Sequence, residues 1–178
     1  MDDDDKRPTR AELDAMLSLG GDEPDRKHAG FRLMGEGLDP DAITQATGLT
    51  PHLSHRKGEP RPPSRVGKQL PPWQSGIWVL DSEDVLPKTG NHLEDHLIWL
   101  LDQLEPQART IHRLSAEQGL NSDFWCGYFM GQANSSFGLN ARTVERIAAL
   151  GADVSFDIYG EHVEMELGTW VKDARPDG

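Results

Sequence analysis

Apolar and polar positions along the chain keep two rhythms. A period of two marks four extended segments. In His28–Met34, the residues Ala29, Phe31 and Leu33 point one way. Ser75–Leu80 ends in Gly-Ile-Trp-Val-Leu, and Asp123–Met130 is the densest aromatic run. Asp153–Tyr159 turns Val154, Phe156 and Ile158 inward. A period near 3.6 marks the longest helix. Leu93, Leu97, Leu100, Leu101 and Leu104 trace one face, widened by Ile98 and Trp99. Ile111 and Leu114 carry the stripe on to Gly119, and Pro106 is expected to kink or restart the helix.

Helix ends are written locally as well. Asp39 suits an N-cap, Pro40 the first turn and Gly48 a left-handed C-cap, with Leu38 and Ile43 at the two staple positions. Asn140, Leu139, Val144 and Gly151 repeat that grammar around Ile147 and Leu150. Asn91 and Glu94 have capping-box spacing for the long helix. Phe137–Leu139 reads as a short strand. Phe-x-Leu, a stapled cap and a glycine-ended helix thus occur twice, near 31–48 and 137–151.

Within the aromatic run, Phe124, Cys126, Tyr128 and Met130 share one side, and Trp125, Gly127 and Phe129 the other. Both sides are apolar, so the run is expected as the central strand, with Trp125 and Tyr128 in the interior. Gly127 signals close approach of a neighbour. The pattern as a whole predicts an α+β fold: an antiparallel or mixed sheet of about five strands with helices mainly on one face.

One domain is expected over 28–160. Residues 1–27 form a polar tail with at most a short helix over 10–19, and Met1–Lys6 spells an enteropeptidase cleavage sequence that carries no functional weight. Residues 161–178 are a C-terminal extension. There Val163, Met165 and Leu167 alternate with His162, Glu164 and Glu166, which fits an added edge strand whose acids discourage pairing with other chains.

Charge narrows the function. Thirty acidic against eighteen basic residues give −12, or −9 without the first six residues. That balance disfavours nucleic acid and suits a soluble protein or one with a basic protein partner. The single cysteine excludes an internal disulfide and points to a reducing, cytoplasmic setting. Within an aromatic strand, Cys126 reads as a structural thiol rather than a nucleophile. No apolar run reaches the roughly 20 residues of a membrane span, so no membrane partner is expected.

Several segments fall in a recognisable order: His55-Arg-Lys-Gly-Glu59, Ser75-Gly-Ile-Trp-Val-Leu80, His96-Leu-Ile-Trp-Leu-Leu101 with Leu104-Glu-Pro106, Phe124-Trp-Cys-Gly-Tyr-Phe129 and Phe156-Asp-Ile-Tyr159. Together they resemble the bacterial family of unknown function numbered 4279, over roughly 29–160. The resemblance implies a small intracellular α+β domain and transfers no catalytic residue.

The best functional candidate is the loop from His52 to Lys68. Six of the twelve prolines lie in 50–74, which excludes a regular helix or central strand there. Over 56–68, Arg56, Lys57, Arg61, Arg65 and Lys68 face Glu59 alone, and His52 and His55 precede them. A local reversal of sign can gather a small anion, a nucleotide or an acidic surface. Gly58 would let backbone amides approach it, and Trp73 is a candidate contact or lid. The alternative is a solvated loop whose cations neutralise nearby carboxylates. His92 and His96, four apart beside Asp81, Glu83 and Asp84, suggest a divalent metal, but they lack metalloprotease order and more simply flank the core. Trp78, Trp99 and Trp125 read as core. No nucleophile, metal or cofactor motif stands out. Two readings follow. The first is a non-catalytic protein-binding protein, of which an immunity-type antagonist of a basic toxin is one form. The second is a small anion- or nucleotide-binding domain, with or without catalysis, using His52, His55, Arg56, Lys57, Glu59 and Arg65.

Overall fold

The computed structural model describes residues 24–64, 66–83, 85–131 and 135–160. The expectations for 10–19 and 162–167 lie outside them. Five strands form one mixed sheet: β1 (Arg26–Gly35), β2 (Leu53–His55), β3 (Gly76–Asp81), β4 (Asn121–Phe129) and β5 (Asp153–Tyr159), in the order β2-β3-β1-β4-β5. All neighbours are antiparallel except β4 and β5, which run parallel. The fold is therefore α+β, with a mixed sheet. The centre of the sheet is β1, and the aromatic strand β4 lies between β1 and the edge strand β5.

Among the described residues four helices accompany it: α1 (Pro40–Thr47), α2 (Leu93–Leu104), α3 (Ala108–Gln118) and α4 (Ala141–Ala149). A 3-10 turn over Glu105–Gln107, with Pro106 inside it, divides α2 from α3, as a proline that lacks an N–H requires. The caps follow local chemistry. Asp39 accepts from the Asp41 and Ala42 amides, and Asn140 accepts from Thr143 N–H at 2.9 Å. Gly48 and Gly119 end α1 and α3 at φ of 70° and 63°, in the left-handed region. The box on α2 lies one residue later than expected. Asp95 accepts from His92 N–H at 2.8 Å, while Glu94 reaches away to the Asn140 amide at 2.7 Å and ties α2 to the start of α4.

The core lies between the sheet and the helices. Ala29, Phe31 and Leu33 of β1, Trp78 and Leu80 of β3, and Phe124, Cys126 and Tyr128 of β4 pack there against Leu93, Leu97, Leu100, Leu101 and Leu104 of α2. Burial pushes the Cys126 thiol up to about 12, consistent with a core thiol. Tyr128 donates to Asp25, whose carboxylate also accepts from Gly131 N–H and Ser135 Oγ. Burial opposes the ionised form of Asp25, but these donors hold its carboxyl below the usual range.

Three expectations change. Trp125 is not interior: it is half-buried on the sheet face away from the helices, because β4 is covered on one side only. Phe137–Leu139 is coil, so the internal echo stops at the helices, and Val144 of the second staple is half-exposed. Of the three β5 residues expected inward, only Val154 is half-buried, while Phe156 and Ile158 are exposed at the sheet edge, with Phe156 stacked on Phe137.

Candidate binding surface

The cationic loop is largely satisfied by its own protein. Arg56 binds Asp39 and Asp41, each at 2.6 Å, and lies 3.6 Å from Glu59. Lys57 binds Glu36 at 2.5 Å. Hydrogen bonds donated to Asp41 and Asp39 hold the Arg56 guanidinium even more firmly protonated than usual. Asp39, the cap of α1, thereby anchors the loop to that helix. The strap closes by backbone pairing: Gly58 N–H donates to Trp73 C=O at 2.7 Å and Trp73 N–H to Glu59 C=O at 3.0 Å. Gly58, at φ 84°, serves this closure.

Trp73 stacks flat on His55, with ring centroids 3.8 Å apart, and Arg61 lies over the indole at 4.2 Å. A cation over an indole face is attracted by the ring quadrupole. Burial lowers the His55 pKa, so this ring stays neutral further into acid than a free histidine. Beside the stack, Met34, Ile77 and Gly76 floor a shallow cavity of about 290 Å³. The other candidates do not converge on it. His52 lines a separate cavity with Leu80 and Trp99, and Lys68 is exposed in a tight turn closed by Ser64. Arg65 lies outside the described residues. His55, Arg61 and Trp73 therefore share a site, Arg56, Lys57 and Glu59 are engaged in ion pairs beside it, and His52 and Lys68 are elsewhere.

The strap covers one corner of a larger feature that the sequence left in the interior. Strand register places His55, Ile77, Val79, Met34, Arg32, Gly30, His28, Asp81, Asp123, Trp125, Phe129, Ser155, Asp157 and Tyr159 on the sheet face opposite the core. Among the described residues no helix packs there. Its side chains pack laterally on one another. Phe129 stacks on Tyr159 at 4.6 Å, Arg26 lies over Phe129 at 5.2 Å and Arg32 over Trp125 at 5.8 Å. Arg32 holds Asp123 through two hydrogen bonds of 2.8 and 2.5 Å, and Trp125 Nε1–H donates to Asp157. Sequence gave little warning. Periodicity places Trp125 opposite Tyr128 but does not say which side the helices take.

Three titratable side chains meet at the end of β1 and β3. His28 Nδ1 lies 3.5 Å from Asp81 Oδ1, and Glu83 completes a group whose donor atoms all lie within 4.8 Å of one another. Lys88 binds Glu83, and its hydrogen bond is the main cause of a lowered Glu83 pKa. Below this group, Ser82 Oγ donates to Ala29 C=O at 2.7 Å and accepts from Ala29 N–H at 3.0 Å. Its single proton is thus used, so the 2.9 Å bond to His96 requires the proton on His96 Nδ1. His96 is buried and its pKa lowered, chiefly by desolvation. His92 caps α2 from outside, so the two histidines do not form the metal pair that their spacing suggests.

A family model described as a domain of unknown function, DUF4279, matches residues 25–161, almost the whole described region. The chain belongs to the DUF4279 family. No curated protein and no solved structure matches it. Within the DUF4279 match the charge is modest: residues 25–161 hold 18 acidic and 13 basic side chains, a net −5 of the −12 in the chain. Most of the net negative charge, −7, therefore lies outside the matched residues.

Proposed function

We propose that this DUF4279 protein is a non-catalytic binding module that works in the cytoplasm and receives a basic protein segment on its uncovered sheet face. The observation that carries this reading is the composition of that face. Trp125, Phe129, Tyr159, Arg26 and Arg32 are the residue types that concentrate binding energy in protein interfaces. Charge selects the partner. Asp81, Asp123, Asp153 and Asp157 outnumber Arg26 and Arg32 on the face, and Asp153 and Asp157 are exposed. Edge position selects its shape. Among the described residues β5 is hydrogen-bonded only to β4, so an extended segment can add along it, basic side chains toward Asp153 and Asp157 and apolar ones toward Phe156 and Ile158. An immunity-type antagonist of a basic toxin is one concrete form of this role.

The reading is tested with a capped peptide of alternating lysine and valine, followed by tryptophan fluorescence. Saturable binding that weakens with salt and with Asp153→Asn plus Asp157→Asn is expected. Equal binding of the glutamate–valine counterpart would overturn it. The anion-binding alternative loses support from the ion pairs of Arg56 and Lys57, which occupy the two leading cations of the loop.

A further inference from the structure

We propose that His28, Asp81 and Glu83 form a binding site for a divalent transition-metal ion, zinc being the natural probe. The proposal does not depend on the partner reading above. His28 Nδ1 and Asp81 Oδ1 are 3.5 Å apart. A charge-assisted hydrogen bond between an imidazole and a carboxylate closes to roughly 2.7–2.9 Å. Two ligands that each sit roughly 2.1 Å from a tetrahedral ion are instead separated by roughly 3.4 Å. The pair is spaced as ligands of a common ion rather than as donor and acceptor. Glu83 brings the third donor within 4.8 Å of the other two. One nitrogen and two carboxylate oxygens suit zinc or a neighbouring first-row cation, with coordination positions left for water.

The frame is fixed before any ion arrives. Asp81 and Glu83 flank Ser82, which is bound at backbone and side chain to Ala29, the residue after His28. His96 holds Ser82 from the core side, and Glu83 N–H donates to Asp81 Oδ1 at 2.7 Å. Partners of this kind orient metal ligands. Gly30 leaves room for the Asp81 carboxylate, since a Cβ there would lie 3.1 Å from Oδ2. His28 is 93% buried by complement of its 7% exposure, and it is wedged against Trp125 with ring centroids 4.8 Å apart. The side chains of His28 and Asp81 are buried, while Glu83 and Lys88 are half-exposed and give the site its described access to solvent.

Lys88 is the built-in competitor. It holds Glu83 through Oε1, and its positive charge opposes a cation at the same carboxylate. That makes the proposal separable from a merely structural ion cluster. Zinc is titrated into the full-length protein against a fluorescent chelator, with thermal stability measured in parallel. One saturable site is expected. Glu83→Gln should weaken it roughly tenfold or more, Asp81→Asn likewise, and Lys88→Ala should tighten it. A structural cluster would respond to Lys88→Ala by losing stability without gaining affinity. His28→Ala can disturb packing against Trp125, so Glu83→Gln, on the exposed side, is the deciding variant. No saturable binding, or binding untouched by Glu83→Gln and Lys88→Ala, overturns the proposal, the latter because the ion would then sit elsewhere in the chain.

Discussion

Phe124 and Trp125 are adjacent in β4 and face opposite ways. Phe124 is fully buried against Phe31 and the leucines of α2. Trp125 is half-buried among Arg32, His28 and Asp157. The same strands thus carry two surfaces with different solutions to one problem. The core face removes apolar area from water by covering it with helices. The other face keeps its rings partly wet and satisfies them laterally, by stacking, cations over rings and indole-to-carboxylate bonds. The first solution favours stability; the second leaves a surface rich in aromatic and charged groups available for recognition.

The comparison is broken most directly by truncating each ring. Phe124→Ala should cost about 3–5 kcal/mol in denaturant unfolding. Trp125→Ala should cost about 1–2 kcal/mol, since most of its contacts are lateral and solvent-facing. Equal costs would mean that both faces are core.

Gly127→Val comes next, at about 1–3 kcal/mol. A Cβ at 127 would lie 2.6 Å from His28 Nε2 and 2.9 Å from Cδ2. Because the nearest obstacle is the His28 ring, with Phe129 Cε2 next at 3.3 Å, His28→Ala should recover part of the loss; a double variant no better than the single one would contradict His28 as the approaching group. Asn140→Ala follows at about 1 kcal/mol, read by thermal unfolding, for loss of the cap on α4.

A smaller effect should appear on acidification. Burial lowers the pKa of His96, so below the ordinary histidine range near pH 6.5 the unfolded chain binds a proton that the native chain refuses. The stability associated with this group is intact above that pH and falls as pH drops through it. His96→Gln should flatten part of that slope in unfolding measured between neutral and mildly acid pH. His55, lowered in the same sense, supplies another part. Least of all, Lys57→Ala should change stability by less than about 0.5 kcal/mol, because its pair with Glu36 is exposed.

How much of this could be read in the sequence depended on how local each feature is. Asp39–Pro40, Gly48 and Asn140 declare helix ends because a cap needs only its own turn. Gly127 declared close approach, although the approaching group, His28, is 99 residues away and needed the β1–β4 register. The box on α2 was misplaced by one residue because Asn91 and His92 present comparable local chemistry, and the competing Glu94 is drawn off by α4. That the loop's cations could neutralise nearby carboxylates was one of its two readings, but the partners, Glu36, Asp39 and Asp41, could not be named because they precede the loop in the chain. The half-exposed face was illegible for a similar reason. Alternation divides a strand into two sides, but the side that the helices cover is decided by long-range packing. The meeting of His28 with Asp81 likewise follows from β1–β3 pairing, which no spacing along the chain encodes.

The central claim, that the uncovered face is where a basic segment docks, is tested most directly by residue-resolved amide shifts during titration with the lysine–valine peptide. Perturbations are expected to run along 153–159 and 125–129 and to spare α1 and α2. Perturbations centred on the strap at 56–73 or on the helices, with β5 unchanged, would contradict it.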